Sequence, residues 1–122
     1  MILLANVRVI SRKILRDYCQ SHADACDSLY DWYRVAIKAQ WKNLTEVQAT
    51  YKSAEAVGTL DSSFKSGNPP NGLSRNFTVF NIKGNRYRLI VDIIYEHQRI
   101  YIKYVLTHAE YDKDKWKNDP YY

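Results

Sequence analysis

Three consecutive segments near the C-terminal end alternate apolar and polar residues with a period of two, and they constrain the fold most strongly. They are FTVFNI (77–82), RYRLIVDIIYE (86–96) and RIYIKYVLT (99–107), separated only by the short turns KGN and HQ. Side chains alternate between the two faces of a strand, and short turns join antiparallel neighbours. The three segments therefore predict an antiparallel meander.

The middle strand of this meander poses a chemical question, because it carries two arginines opposite its apolar side. Arg86 and Arg88 are expected to share one face. The other face is expected to carry Tyr87, Leu89, Val91, Ile93 and Tyr95. The flat fork of a guanidinium suits phosphate oxygens. The two arginines are therefore either part of an anion site or solvated surface charges, with Arg88 paired to Asp92 or Glu96.

The N-terminal half predicts one strand followed by helices. Residues 2–10 form the predicted strand, Ser11 caps a first helix, and Asp24 stands at the start of a second. The apolar face of the second helix consists of Cys26, Leu29, Tyr30, Tyr33, Ala36, Ile37 and Trp41. Asn43 and Glu46 resemble a capping box and open a short further helix.

These elements predict an α+β fold. A small antiparallel sheet is expected with two N-terminal α-helices packed on one face, in the order β-α-α-β-β-β plus a C-terminal helix or tail. The length of 122 residues predicts a single domain, 1–122. Residues 58–76 lose the regularity and predict a long exposed loop. A solvated insertion is the favoured interpretation, although Lys65 and Arg75 leave an RNA or partner contact open.

The charge balance indicates the kind of partner only weakly. Lysines and arginines number 18 against 13 acidic residues, a net charge of +5. This excess favours a polyanion such as RNA, or an acidic protein, over an acidic substrate. The eleven tyrosines and three tryptophans can serve as core, as interface anchors or as stacking platforms for unpaired bases.

Several classes of function and location are disfavoured by what the sequence lacks. It contains no P-loop, no G-x-G-x-x-G, no H-E-x-x-H and no G-x-S-x-G motif, so no cofactor is predicted. Its three histidines are too scattered for a metal site. Cys19 and Cys26 have no zinc spacing and are predicted to be reduced thiols of a cytoplasmic protein. No segment has the length of a membrane span or the pattern of a signal peptide.

Three segments resemble a known family. TVFNIKGNRYRLIVDIIY, then IYIKYVLTHAEYDKDKW, and DWYRVAIKAQWKN in the second predicted helix are similar to HigB-type toxins of the RelE/ParE toxin superfamily. The resemblance implies a toxin of a type II toxin–antitoxin system that cleaves mRNA as a metal-independent endoribonuclease on the translating ribosome. It also implies inhibition by a cognate HigA-like antitoxin, a helix-turn-helix protein, and it agrees with the predicted fold.

The resemblance also implies where the chemistry lies. Such toxins cleave RNA with basic side chains on a sheet face, which makes Arg88 and Lys103 the leading catalytic candidates. His108 is then a candidate for proton transfer, and Tyr111 is a candidate for proton transfer or for stacking on a base. The predicted RNA-binding residues are Lys83, Asn85, Arg86 and Arg75. Whether Arg88 and Lys103 face the same side depends on the hairpin register. Lys103 is expected to share its side with Tyr101 and Val105.

Other interpretations of these residues stay open at this point. His108 could be only a helix cap, Tyr111 could be core or interface, and KGNR could be only a soluble hairpin tip. At the level of function, the same scaffold could bind RNA or the ribosome without cleaving it. A purely structural partner-binding protein would fit the aromatic content but would leave the basic strand unexplained.

Overall fold

The structure, a computed structural model, describes residues 7–59 and 75–113 and contains one five-stranded sheet. The strands are β1 (Arg8–Ile10), β2 (Glu55–Thr59), β3 (Arg75–Ile82), β4 (Tyr87–Ile94) and β5 (Arg99–Thr107), arranged in the order β1-β5-β4-β3-β2. Neighbours are antiparallel except that β1 runs parallel to β5. The α+β class and the meander are therefore confirmed, but the sheet is mixed and not purely antiparallel.

In the described residues, four α-helices accompany the sheet: α1 (Arg12–Ser21), α2 (Cys26–Ala39), α3 (Leu44–Thr50) and α4 (His108–Asp112). Ser11 caps α1, because its side-chain oxygen accepts a hydrogen bond from the Lys13 amide at 3.1 Å. Asn43 caps α3 in the same way through the Glu46 amide at 3.0 Å. Both predicted helix starts are confirmed, and each cap satisfies an amide that the first helical turn leaves unpaired.

The predicted order missed β2, and the predicted start of α2 was wrong. β2 pairs along its whole length with β3, yet Val57 is its only large apolar residue, so its sequence has no clear alternation. Asp24 lies in a short 3₁₀ turn, Ala23–Ala25, before α2. Its carboxylate accepts a hydrogen bond from Tyr87 and caps no helix. Of the predicted long loop, residues 60–74 lie outside the described residues.

The main core lies between helices α1 to α3 and one face of the sheet. The fully buried members of this layer include Leu15, Leu29, Ala36, Val47, Leu89 and Val91. Tyr87 also belongs to it, so the predicted apolar face of β4 is confirmed. Trp32, which the helical pattern did not single out, is 1% exposed and packs edge-on against Phe80 with ring centroids 5.4 Å apart. Burial of this apolar area is the main source of stability.

The opposite side of the sheet, which we call the distal face, carries a second and smaller apolar cluster. Its buried members are Phe77, Val79, Ile90 and Leu106, with Val57, Tyr104 and Tyr111 packed against them. Arg88 pairs across the strands with Leu106 and therefore lies on this face. The prediction that Arg88 points away from the apolar face of β4 is confirmed.

β5 contains one residue more than the stretch of β4 opposite it. Lys103 is that extra residue, a β-bulge. The flanking pairs are Ile90–Tyr104 and Val91–Ile102. A bulge shifts the alternation by one residue, so Lys103 contacts the ring of Tyr101 on the distal face while Val105 belongs to the main core. The prediction that Lys103 shares a side with Tyr101 was right, but the same prediction for Val105 was wrong.

The two cysteines do not remain free in the structure, contrary to prediction. Cys19 in α1 and Cys26 at the start of α2 form a disulfide, with Cα atoms 4.9 Å apart. This separation is within the range that a disulfide requires, and the turn between the two helices creates it. The prediction of two reduced thiols rested on compartment alone and is corrected.

The described helices are short compared with a lipid bilayer. In residues 7–59 and 75–113, no helix has both the length and the apolar character needed to cross a membrane.

Candidate functional site

Arg88 is a charged side chain held in place beneath the distal face. It is 9% exposed, and its guanidinium donates hydrogen bonds to the backbone oxygens of Asn85 (3.2 Å) and Tyr87 (3.3 Å) and to the side-chain oxygen of Asn85. Within the described part of the chain no carboxylate forms an ion pair with it, so the alternative of pairing with Asp92 or Glu96 is not observed. Its positive charge is therefore fixed in position, and no carboxylate of residues 7–59 and 75–113 neutralises it.

Tyr111 and Glu55 extend this arrangement across the distal face. The Arg88 guanidinium carbon lies 5.4 Å from the centroid of the Tyr111 ring, within cation–π range. The Tyr111 hydroxyl donates a hydrogen bond to Glu55 at 3.3 Å. Side chains from β4, α4 and β2 therefore form a row of cation, phenol and carboxylate, which we call the Arg88 row. Tyr111 packs on the apolar cluster of the distal face and also contacts two polar side chains of the Arg88 row.

Sequence reasoning did not find Glu55. Its pairing with Val79 places it on the distal face, but this register is visible only once β2 is recognised as a strand. A single glutamate in a weakly patterned segment carries no other signal of function.

His108 lies at the first position of α4, close to the Arg88 row along the chain. Its backbone amide donates to the Arg86 carbonyl at 2.9 Å, and its ring nitrogen Nε2 lies 3.0 Å from an Asp112 carboxylate oxygen. The helix cap is Thr107, which forms a capping box with Glu110. The alternative that His108 is only a cap is therefore wrong. The ring is 42% exposed, accessible to a ligand.

Lys83 and Arg86 project to the other side of the sheet. Their cationic nitrogens lie 3.7 Å and 3.8 Å from the Asp24 carboxylate, which also accepts the Tyr87 hydroxyl at 2.7 Å. Arg86 belongs to the turn Lys83–Arg86 and not to β4, so strand alternation does not apply to it. The prediction that Arg86 and Arg88 share a face was wrong.

The remaining predicted RNA-binding residues also take definite places. Asn85 holds Arg88 and therefore positions it. The positive φ angles of the turn belong to Lys83 (52°) and Gly84 (65°). Arg75 is the first residue of β3 and pairs with Thr59.

Comparison with known proteins decides the family. Residues 25–68 and 70–114 match the model of the HigB toxin family, described as the RelE-like toxic component of a toxin–antitoxin system. The chain belongs to this family. The mRNA interferase toxin HigB of Escherichia coli strain K12 is 26% identical over 106 residues, which are 87% of this chain and 88% of that relative. The mRNA interferase HigB proteins of Escherichia coli O157:H7 and Shigella flexneri match with the same identity and coverage.

Family membership confirms the resemblance seen in the sequence. A toxic component of a toxin–antitoxin system implies a cognate antitoxin as partner.

This HigB-family toxin has a groove of about 690 Å³ between α2 and α3. Val35, Ala39, Trp41 and Ala49 are among the residues that line the groove, and none of the predicted site residues that the structure describes is among them. Among the residues that the structure describes, no three histidine, cysteine or acidic side chains converge as metal ligands would.

Electrostatics support the attachment of the β3–β4 turn to the helical layer of this HigB-family toxin. The hydrogen bond from Tyr87 lowers the pKa of Asp24, and the nearby charges of Lys83 and Arg86 lower it further. The same hydrogen bond raises the pKa of Tyr87. Asp24 is therefore ionised in the folded protein at neutral pH, and the turn that carries Asn85 is bound to the helices through it.

Replacing Tyr87 by Phe should make the stability of the toxin depend less on pH. A carboxyl whose pKa is lowered by folding stabilises the fold above its unfolded pKa, near 4, and loses that contribution as pH falls through the folded value. The melting temperature of Tyr87→Phe should therefore lie furthest below wild type near pH 7, and the gap should narrow below about pH 4. Thermal melts by circular dichroism across this range are the measurement. A gap that is constant with pH would show that the hydrogen bond to Asp24 contributes nothing.

Proposed function

We propose that this toxin is an endoribonuclease that cleaves mRNA. The observation that carries the proposal is the Arg88 guanidinium, buried on the distal face, held by three hydrogen bonds and without a carboxylate partner among the described residues. A fixed, unneutralised cation suits a phosphate group that gains negative charge during reaction. The relatives named mRNA interferases support the same activity.

The reaction that fits these groups is internal attack by a ribose hydroxyl. The 2′-oxygen forms a bond to phosphorus while the bond from phosphorus to the 5′-oxygen breaks. A base takes the proton of the 2′-hydroxyl, and an acid supplies a proton to the leaving 5′-oxygen. The products are a 2′,3′-cyclic phosphate and a 5′-hydroxyl. No step in this scheme requires a metal or a cofactor, and the predicted absence of both stays a prediction.

Five residues receive roles in this scheme. Arg88 stabilises the charge on the phosphate, and Lys103, on the same face, supplies a second cation. His108 and Glu55 are the candidate proton carriers, because imidazole and carboxylate groups are the side chains used most often for proton transfer. Tyr111 orients both Arg88 and Glu55, since its ring contacts the Arg88 guanidinium and its hydroxyl donates a hydrogen bond to Glu55.

The proposal also names the partners of the toxin. We infer a HigA-like, helix-turn-helix antitoxin as the cognate partner, mRNA as the substrate and the translating ribosome as the place of cleavage. A scaffold that only bound RNA would need cations but no titratable groups beside them. Glu55, which Tyr111 connects to the buried arginine, and the partly exposed His108 three residues before Tyr111 therefore favour cleavage over binding alone.

The chemistry of the product ends tests this function. Purified toxin incubated with mRNA and programmed ribosomes should release fragments that end in 2′,3′-cyclic phosphates and begin with 5′-hydroxyls. Fragment ends can be identified by ligation and phosphatase sensitivity. On any RNA cleaved without ribosomes, the rate should be the same with and without EDTA. Fragments with 3′-hydroxyl and 5′-phosphate ends, or full loss of activity in chelator, would contradict the proposed mechanism.

A further inference from the structure

Two arginines stand opposite each other where β1 pairs with β5. The parallel register makes Arg8 and Arg99 direct Cα partners, and both side chains are exposed. Neighbouring strands lie about 4.8 Å apart, and like charges on opposed residues destabilise a sheet. In the described part of the chain neither arginine forms an ion pair. The repulsion between these two charges does not stabilise the fold, so we expect the pair to bind an anion that the described chain does not supply.

The strand registers place both arginines on the distal face. Arg99 pairs with Ile94 of β4, two residues from Asp92 and on the same side of that strand. The residues next to the arginines, Val9 and Ile100, pair with each other and pack on the main core. Arg8 and Arg99 therefore point to the side that carries Arg88, away from helices α1 to α3.

Further side chains complete a surface beside the two arginines. Tyr101 pairs with Ile10, which is 39% exposed, and the Lys103 ammonium lies 6.0 Å from the Tyr101 ring centroid. We call this surface, made of Arg8, Ile10, Arg99, Tyr101 and Lys103, the β1–β5 patch. It combines three cations with one partly exposed aromatic ring, and Asp92 is the carboxylate opposite Tyr101.

We propose that the β1–β5 patch binds the phosphate backbone of single-stranded RNA that continues from the Arg88 row across β5 to the edge strand β1. This inference rests on the proposed function and extends it to a segment of the substrate outside the reacting phosphate. A cationic track with an aromatic side chain is the combination that single-stranded nucleic acid requires, because phosphates meet the cations and a base stacks on the ring. Exposed Ile10 provides apolar contact for a base.

An acidic protein segment could also be attracted by three cations, but the composition of the patch favours RNA. The ring of Tyr101 offers a face for stacking, which an acidic peptide does not need. The patch also lies on the same face as Arg88, so that one strand of RNA can reach both. Binding of an acidic protein in place of RNA is one of the outcomes that the following experiment separates.

The test is the salt dependence of RNA binding by the full chain. The probe is a fluorescein-labelled single-stranded RNA with 2′-O-methyl groups throughout, which keeps the phosphates but cannot be cleaved. Removing one arginine that binds a phosphate should reduce the slope of log Kd against log salt by about 0.7. We expect Arg8→Gln and Arg99→Gln each to weaken binding several-fold and to reduce the slope by this amount. The double variant should reduce the slope by twice as much.

The matched control is Arg16→Gln, an exposed arginine in the middle of α1 on the helical side of the sheet. It removes the same charge and should leave both affinity and slope as in wild type. Arg8→Gln should also melt at or above the wild-type temperature, because it relieves the repulsion between the two arginines.

Three results would overturn the inference. The first is a slope that is unchanged in both Arg8→Gln and Arg99→Gln. The second is a loss of RNA affinity in Arg16→Gln as large as in the patch variants. The third is that the patch variants no longer bind the antitoxin but bind RNA as the wild type does. The probe cannot be cleaved, so these outcomes are independent of whether the toxin proves to be a ribonuclease.

Discussion

Replacing Arg88 by Ala should lower the single-turnover rate of RNA cleavage by roughly 10²–10³-fold, as loss of one preorganised donor to a transition-state oxyanion does in other enzymes. The substitution removes a cation whose geometry is set by Asn85 and Tyr87. It also has a structural effect, because the freed oxygens of Asn85 and Tyr87 must find other partners at a cost of about 1–3 kcal/mol. The sequence left a solvated surface charge as one interpretation of Arg88, and the burial of the side chain contradicts that interpretation.

A matched variant separates the loss of charge from the loss of fold. Arg88→Lys keeps the positive charge but cannot form the three hydrogen bonds of the guanidinium fork. We expect Lys to recover part of the stability and little of the rate, because an ammonium on a flexible stem is not held at the phosphate. Cleavage on programmed ribosomes and thermal melting of the same samples are the measurements. A folded Arg88→Ala protein that cleaves at the wild-type rate would remove Arg88 from the mechanism.

The second large effect concerns the proton carriers. Substitution of the group that carries the proton should lower the cleavage rate by about 10²–10⁴-fold, while RNA affinity changes little. Glu55→Gln and His108→Gln keep the approximate shape of each side chain and remove its ability to transfer a proton. Both side chains are at least partly exposed, so neither substitution is expected to unfold the protein.

Comparison of these variants with Tyr111→Phe assigns the roles. Tyr111→Phe keeps the ring that contacts Arg88 and removes only the hydroxyl that binds Glu55. If Glu55 is the proton carrier, Tyr111→Phe should produce an intermediate loss of rate and Glu55→Gln a large one. If His108 is the carrier, the pH–rate profile of His108→Gln should lack one of its two limbs, whereas the profiles of Glu55→Gln and Tyr111→Phe should keep both. Wild-type rates in both Gln variants would leave Arg88 and Lys103 to act without either group.

The sequence predicted those parts of the fold that local patterns encode. The strands β3, β4 and β5 and the caps at Ser11 and Asn43 were predicted correctly, because each depends on residues that are close in the chain. The bulge at Lys103 shifts the alternation within β5 and was not predicted. β2 was missed because its pairing with β3, and not its own pattern, makes it a strand. Its absence from the predicted order also hid Glu55, the carboxylate of the Arg88 row.

The structure brings some of the predicted site residues together and separates others. Arg88 and Tyr111 are brought together as the family resemblance suggested, yet Arg86 points to the opposite side of the sheet. Asn85 turned out to hold Arg88, a role that depends on the folded turn. The disulfide between Cys19 and Cys26 likewise depends on the turn that brings the two helices together. None of these features has a signature that a single segment of sequence can carry.

The bulge at Lys103 affects how β5 can change during evolution. Residues on the two sides of it reach the distal face with opposite parity, odd positions such as Arg99 and Tyr101 before it and even positions such as Leu106 after it. Deleting Lys103 would place Ile102 and Tyr104 side by side, opposite the adjacent residues Val91 and Ile90, and would restore a regular ladder with both groups still on the distal face. Loss of this one residue is therefore tolerable to the fold, as are point substitutions at Lys103. Homologous toxins should vary in β5 by loss of the bulge residue as well as by exchange of residues.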